Sequence, residues 1–171
     1  MKVTLVMVSS SDGVVSRQAQ ESVKMWTSKE DQVHLFELAH ACDAIITGRK
    51  SFTKKMAPVP YFIFSRTQTS TPEDVAHDLF YVQTAPKSLL FQLEKAHFTQ
   101  VLLLGGPEIN SLFLKEQLVD ELILTLEPKL FGKGKHLVEE AIEQNLRLLD
   151  LKQLNAQGTL LLKYKIEKPI G

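Results

Sequence analysis

Short apolar runs recur along the chain, each about the length of one strand: Val3–Val8, Ala44–Thr47, Tyr61–Phe64, Leu79–Val82 and Val101–Leu104. Most are apolar throughout rather than alternating. Strands buried on both faces read this way, as in a parallel sheet covered by helices. The segments between them carry a helical period. Lys29–Ala41 places Val33, Leu35, Phe36, Leu38 and Ala39 on one stripe. Ser28 is positioned to cap that helix, with Asp31 three residues on to complete a capping box. Pro86 opens a second helix, Lys87–Ala96, and Pro107–Glu116 forms a third. The strand–helix–strand series predicts right-handed crossovers and an α/β fold with helices on both faces of the sheet.

Beyond residue 118 the pattern changes. Leu122–Leu126 reads as a strand ended by Pro128. Arg147–Leu154 and Thr159–Ile166 read as two more, joined by Asn155-Ala156-Gln157-Gly158. So short a glycine-containing connection predicts an antiparallel hairpin closing one edge of the sheet. The 171 residues suit a single domain over 1–171, and a hydrophobic content of 44% supplies its core.

Charge and cysteine content narrow the possibilities. Twenty basic and twenty acidic residues balance, so nothing draws the whole molecule to nucleic acid or an anionic membrane. No apolar run approaches the ~20 residues that span a bilayer. The apolar start, Met1–Ser9, is short and lacks the cleavage pattern of a signal peptide. A lone cysteine, Cys42, forms neither an intramolecular disulfide nor a multi-cysteine zinc site, and a reducing, cytoplasmic setting is expected. His34, His40, His77, His97 and His136 show no metal-ligand spacing, so no metal is expected. No Gly-x-Ser-x-Gly elbow or zinc-deaminase pattern occurs in the chain.

Candidate chemistry gathers where predicted strands end. Gly48-Arg49-Lys50-Ser51 follows one strand, joining a glycine that permits close approach to two cations and a hydroxyl. Ser65-Arg66-Thr67 follows the next, and an arginine between hydroxyls can grip a ribose 2′-phosphate. Gly105-Gly106-Pro107 lies between a strand and a helix, where backbone and helix N-terminus can receive a pyrophosphate. Each segment alone also fits an ordinary turn. Together they lie on the edge where ligands bind in open α/β sheets. Ser9-Ser10-Ser11-Asp12-Gly13 follows the first strand and reads as a mobile loop able to close over a nicotinamide, or as a solvent turn. Asp31 either completes its capping box or serves as a proton relay, and Trp26 either packs or stacks on a flat ring.

In order along the chain stand Ser-x-Asp-Gly after the first strand; Thr27-Ser28-x-Glu30-Asp31; Asp43-Ala44-Ile45-Ile46-Thr47-Gly48-Arg49-Lys50-Ser51; Ser65-Arg66; Leu103-Leu104-Gly105-Gly106-Pro107; Leu118-Val119-Asp120-Glu121-Leu122; and Glu127-Pro128-Lys129-Leu130-Phe131-Gly132-Lys133-Gly134. This series resembles the reductase domain of the riboflavin-biosynthesis deaminase/reductases, the RibD C-terminal-like family, a relative of dihydrofolate reductase. The resemblance runs from about Lys2 to Ile166.

It implies a three-layer αβα fold around a mostly parallel sheet of about eight strands. It also implies NADPH across the sheet's carboxyl edge, with cofactor phosphates at Gly48, Arg49, Lys50, Ser51, Ser65, Arg66, Thr67, Gly105, Gly106 and Pro107. Asp12 and Asp31 are implied near nicotinamide and substrate, with Trp26 and Ser28 on the substrate side. A homodimer whose contact draws partly on Val119–Gly134 is implied. In the riboflavin branch an acidic residue usually precedes the Gly-Gly pair and an Asp-Asn/Asp-Pro stretch follows the Gly-Arg segment. Here Leu104 and Phe52-Thr53-Lys54-Lys55-Met56 stand instead. The expected activity is NADPH-dependent hydride transfer to a small polar heterocycle; for the riboflavin-pathway reading, Arg17, Lys54 and Lys55 are the candidates for a substrate phosphate grip. The riboflavin-pathway aminouracil reduction, a dihydrofolate-reductase-like activity and a non-catalytic nucleotide-binding protein are the competing readings.

Overall fold

Each of the apolar runs forms a strand in the computed structural model, which describes residues 1–19 and 21–168. In chain order these are β1 (Lys2–Ser10), β2 (Val14–Ser16), α1 (Lys29–Ala41), β3 (Ala44–Gly48), β4 (Tyr61–Phe64), α2 (Pro72–Ala76) and β5 (Leu79–Val82). Then follow α3 (Pro86–Lys95), β6 (Gln100–Leu103), α4 (Pro107–Lys115), β7 (Glu121–Glu127), β8 (Lys135–His136), β9 (Asn145–Gln153) and β10 (Leu160–Glu167). A single 3₁₀ turn, Val23–Met25, precedes α1.

One eight-stranded sheet runs β5-β4-β3-β6-β1-β7-β10-β9, and β2 pairs with β8 in a separate ribbon. Pairing is parallel from β5 to β7; β10 runs antiparallel to both β7 and β9. The hairpin expected at the sheet edge is therefore present. Alternation sorts the side chains of the parallel strands into two layers. Val3, Leu5, Ala44, Ile46, Val101, Leu103 and Leu122 point to α3 and α4. Ile45, Tyr61, Ile63 and Leu102 point to the side where Ala39 of α1 is buried. Helices thus cover both faces, which is why the strands read as apolar throughout. No helix among the described residues is long and apolar enough to cross a membrane.

One expectation is corrected here. The buried stripe of α1 is not centred on Val33 and Phe36, which are more than half exposed at 57% and 54%. Its fully buried members are Asp31 and Ala39, with Leu35 and Leu38 half-buried between them. A stripe one residue out of phase meets the sheet, and it puts a carboxylate where an apolar side chain would stand. Of the segment Val119–Gly134, the part within the sheet is largely covered, whereas residues 128–134 are mostly exposed. Val119 and alternate residues of β7 are buried, and β7 lies between β1 and β10 inside the sheet.

The α3/α4 layer is pinned by Phe113, which is fully buried and stands edge-on to Phe64 at 5.6 Å. Phe113→Ala removes a ring from a site with little freedom to collapse. It is expected to cost about 3–5 kcal/mol in chemical denaturation without changing the far-ultraviolet spectrum of the folded state.

Candidate active site

The sheet order brings the sequence segments singled out above to one edge. β4, β3 and β6 are neighbours, so the turns after them lie side by side: Ser65-Arg66-Thr67, Gly48–Ser51 and Gly105-Gly106-Pro107. They are tied to each other by backbone. Gly48 N–H and the Thr47 hydroxyl both donate to the Gly105 carbonyl, at 2.7 and 3.0 Å, and Arg49 N–H donates to Phe64 O at 3.0 Å. The Gly105–Gly106 peptide is cis. Close approach explains two glycines directly. A Cβ on Gly106 would stand 2.6 Å from Ser51 Oγ, and one on Gly48 would stand 2.9 Å from Ile109 Cγ1 of α4. The result is a cradle of backbone, hydroxyls and cations at the N-terminus of α4. That donor set fits a polyanion such as a dinucleotide's phosphates.

Farther along the same edge the character turns acidic. β1 and β7 are paired so that Ser10 stands opposite Glu127, the last residue of β7. Ser10, Asp31, Thr125, Glu127 and Thr159 are all at least nine-tenths buried. Glu127 organises this cluster. Its Oε1 accepts the Ser28 backbone N–H at 2.7 Å, and its Oε2 accepts the Thr159 hydroxyl at 2.9 Å. Thr159 in turn accepts from Asn155 Nδ2, which also reaches Glu30 of α1. The Ser28 hydroxyl caps α1 by accepting Asp31 N–H at 3.2 Å. A capping box would have Asp31 return the bond to Ser28 N–H. Glu127 supplies that bond instead, so the Asp31 carboxyl is released from the cap.

The freed carboxyl is 7% exposed, and burial pushes it up to about 6. The Thr125 hydroxyl works against this shift and the Glu127 carboxylate adds to it. Asp31 therefore titrates close to neutrality while buried beside the carboxyl ends of β1 and β7, a setting in which a carboxyl can hold or move a proton.

Asp12 is held by the segment after β7. Its carboxylate accepts the backbone N–H groups of Phe131, at 3.1 and 3.2 Å to its two oxygens, and of Gly132, at 2.7 Å. The Ser10 hydroxyl, then those N–H groups, hold it down at about 2. So acidic a group carries no proton near neutrality, and Asp12 is a clamp rather than an acid. The surrounding segment is clamped too. Ser9 and Ser10 are buried in β1, Ser11 donates through N–H to Lys129 O at 2.9 Å and through its hydroxyl to Glu127 O at 2.8 Å. The mobile loop expected over Ser9–Gly13 is instead stitched to the segment after β7.

Trp26 is 6% exposed and stands edge-on to Phe131 at 5.1 Å. It packs rather than offering an open ring face, but its Nε1 is buried without a partner among the described residues. Arg17 lies over the Phe131 ring at 4.7 Å and is bound to Glu21, whereas Lys55 donates to His77 O at 3.0 Å. These cations sit toward opposite ends of the sheet, so they do not form one phosphate grip with Lys54. Glu127 is the residue that sequence reasoning missed. Its signal was the inward face of β7, where Ile123 is followed by two polar residues, Thr125 and Glu127, at strand spacing.

Against known proteins, the family model described as the RibD C-terminal domain matches residues 1–160. The uncharacterized protein YwjB of Bacillus subtilis (strain 168) is 28% identical over 120 residues, 65% of this chain and 67% of that one. Among solved structures, a protein described under riboflavin biosynthesis from Shewanella sp. PV-4 superposes with a TM-score of 0.82 at 20% identity, covering 98% of this chain and all of the other (100%). A pyrimidine reductase-like protein from Corynebacterium diphtheriae gives 0.76 at 14% identity, with 98% and 92% covered. RibD of Acinetobacter baumannii gives 0.79 at 21% identity, and this chain spans 58% of its length.

Burying an ionised Asp31 has a measurable consequence. A carboxyl raised from 3.8 to about 6 on folding contributes stability that is complete below pH ~4 and lost as the pH rises through 6. Asp31→Asn removes that loss. The variant is expected to be more stable than the parent at pH 8, by up to roughly 3 kcal/mol, with the gap closing toward pH 4. Thermal unfolding across pH checks it; an equal or lower melting temperature for the variant at pH 8 contradicts the burial of a charged Asp31.

Proposed function

The chain belongs to the RibD C-terminal domain family, and from that premise we propose that it is a cytoplasmic NADPH-dependent reductase of a small, planar, unphosphorylated heterocycle. The reductase class comes with the family; cofactor, substrate and residue roles are the reading advanced here. The observation that carries it is Asp31: a buried carboxyl released from its helix cap and titrating near 6 beside a cradle built for phosphates. Buried Cys42, free of any disulfide, suits a reducing compartment.

In this reading Gly48, Ser51, Gly105, Gly106 and Pro107 line the approach of the pyrophosphate to the α4 N-terminus. Arg49, Lys50, Ser65, Arg66 and Thr67 surround the remaining phosphate. Bound NADPH supplies the hydride. Asp31 holds the proton for the reduced substrate nitrogen or oxygen, and the loss of that proton leaves a carboxylate that Thr125 can hydrogen-bond. Ser28 and Glu127 keep Asp31 at the start of α1, and the buried, unpartnered indole N–H of Trp26 is left for a substrate acceptor to meet. Arg17 and Lys55 lie apart, one against Phe131 and the other against His77, so they do not converge on one substrate phosphate.

A homodimer is part of the same proposal, with its contact on β9 rather than β7. Leu146, Leu148 and Leu151 stand opposite Ile166, Tyr164 and Leu162 of β10, on the core-facing side of the sheet, yet are 43–53% exposed. Leu149 is the extra residue at a register shift between Lys163 and Tyr164. A second β9 running antiparallel, with its two-fold axis between Leu148 and Leu149, sets Arg147 against Asp150 twice and leucine against leucine. Such self-complementarity suits an isologous contact.

Titration with NADPH and NADH, followed by the fluorescence of the single tryptophan, tests the cofactor half. NADPH is expected to bind at least ~10-fold more tightly, the loss expected for one charged contact to the 2′-phosphate. Asp31→Asn is expected to keep that binding and lose ~100-fold or more in turnover on pteridine or pyrimidine substrates. Binding of neither nucleotide would remove the proposal, and an Asp31→Asn protein with full turnover would remove Asp31 from it.

For the dimer, sedimentation velocity is the measurement. Arg147→Glu and Asp150→Arg should each shift the parent dimer to monomer, and the double variant should restore it. A monomeric parent, or single variants that stay dimeric, rejects the β9 contact.

A further inference from the structure

The cations of the phosphate cradle already hold an anion of the protein's own. Glu108, on the first turn of α4, accepts Lys50 Nζ at 2.9 Å through Oε1, and its Oε2 lies 3.5 Å from the Arg66 guanidinium. Lys50 belongs to the turn after β3, Arg66 to the turn after β4 and Glu108 to the turn after β6. One carboxylate therefore bridges three adjacent strand ends. It lies where helix geometry favours negative charge. The Lys50 ammonium, joined by Arg66 and Lys135, holds its carboxyl below the usual range. It is therefore ionised throughout the neutral range. Arg49 is engaged separately, donating from Nε to Gln68 at 2.8 Å.

We propose that Glu108 is an internal stand-in for a cofactor phosphate, keeping Lys50 and Arg66 in place in the free protein and competing with the phosphate for them. This rests on the NADPH reading above. The pairs are exposed, with side-chain exposures of 73% for Lys50, 86% for Arg66 and 44% for Glu108, so they exchange readily. A phosphate offers more charge and more acceptors than a carboxylate, and a guanidinium can meet it with two parallel bonds. The exchange is therefore favourable, but it leaves Glu108 next to the incoming phosphate, where like charges repel. Glu108 lowers affinity for the cofactor and most of all for the form with the additional phosphate. In exchange the cations are already gathered when the ligand arrives, and release of the spent cofactor is assisted. The residue acts as a specificity and affinity determinant without entering the chemistry.

The test compares the whole protein with Glu108→Gln, which keeps the side chain's shape and removes its charge. Glu116→Gln removes the same charge from the far end of α4 and serves as control. Each protein is titrated with NADPH and with NADH by tryptophan fluorescence. The expected result is NADPH bound roughly 3- to 10-fold more tightly by Glu108→Gln, a smaller gain for NADH and no change in Glu116→Gln, with the gain shrinking as salt is raised. NADPH binding unchanged or weakened by Glu108→Gln, in a parent that prefers NADPH, overturns the proposal while leaving the cofactor reading intact. No nucleotide binding by any of the three proteins overturns both. NADPH binding that appears only in Glu108→Gln supports the competition in its strongest form.

Discussion

The site depends on a buried carboxylate that does no chemistry. Glu127 ends β7, accepts the N–H of Ser28 and the hydroxyl of Thr159, and so joins the start of α1, the centre of the sheet and the closing hairpin. A carboxylate this deeply buried is costly unless its oxygens are occupied by donors. Here one oxygen takes an orphan N–H of a helix terminus and the other a hydroxyl that is itself buried. Helix ends need such partners, and the usual one is a side chain three residues into the helix. Because Glu127 reaches across from another element, the local partner is left over. That leftover partner is Asp31.

This exchange of roles explains how a buried acid near neutrality is kept in place. Asp31 lies on the inward stripe of α1, so it cannot rotate out to water without moving the helix. Burial raises it, and Glu127 adds a second negative charge nearby. Thr125 provides the opposing hydrogen bond. The neighbouring carboxylate Asp12 meets the opposite environment: it is exposed and surrounded by donors, and it falls to about 2. Two acids within reach of the same strand end are thus driven apart, one held as an anion and the other raised toward neutrality.

The sequence discloses what is local and conceals what is paired at a distance. α1 is predicted with its boundaries, Lys29–Ala41, because Ser28 is a local cap and Cys42 leaves the helical period. The strand runs, the proline-opened helices α3 and α4 and the hairpin at Asn155–Gly158 are also local signals, and all are found. The three glycine- and cation-bearing turns at the strand ends are legible because glycines at strand ends have few explanations. What sequence cannot show is which partner completes a bond. Asp31 looks like half of a capping box until Glu127, almost a hundred residues on, takes the other half. Asp12 looks like a loop acid until the Phe131 and Gly132 N–H groups meet it. Glu108 reads as an ordinary first-turn acid until strand order places Lys50 and Arg66 against it. The β2–β8 ribbon is three residues against two, too short to leave a period.

The two departures from the riboflavin branch, far apart in sequence, have one physical origin. Leu104 replaces an acidic residue before Gly105, and Phe52–Met56 replaces a polar stretch after the Gly-Arg segment. In the structure Leu104, Phe52 and Met56 pack against the same apolar cluster, on the α1 side of the sheet, together with Val6 and Val59. Phe52 leans on Tyr61 at 5.7 Å, and the Tyr61 hydroxyl accepts the Met56 N–H at 3.0 Å. An acid at 104 would be left without a partner among these side chains, and polar residues at 52 and 56 would lose the packing that Leu104 offers. On the α1 side of the sheet the two replacements add to one apolar cluster, while Thr125 and Glu127 stand beside Asp31. An apolar surface of that kind favours flat, weakly charged rings over sugar phosphates, which is what the substrate proposed above requires.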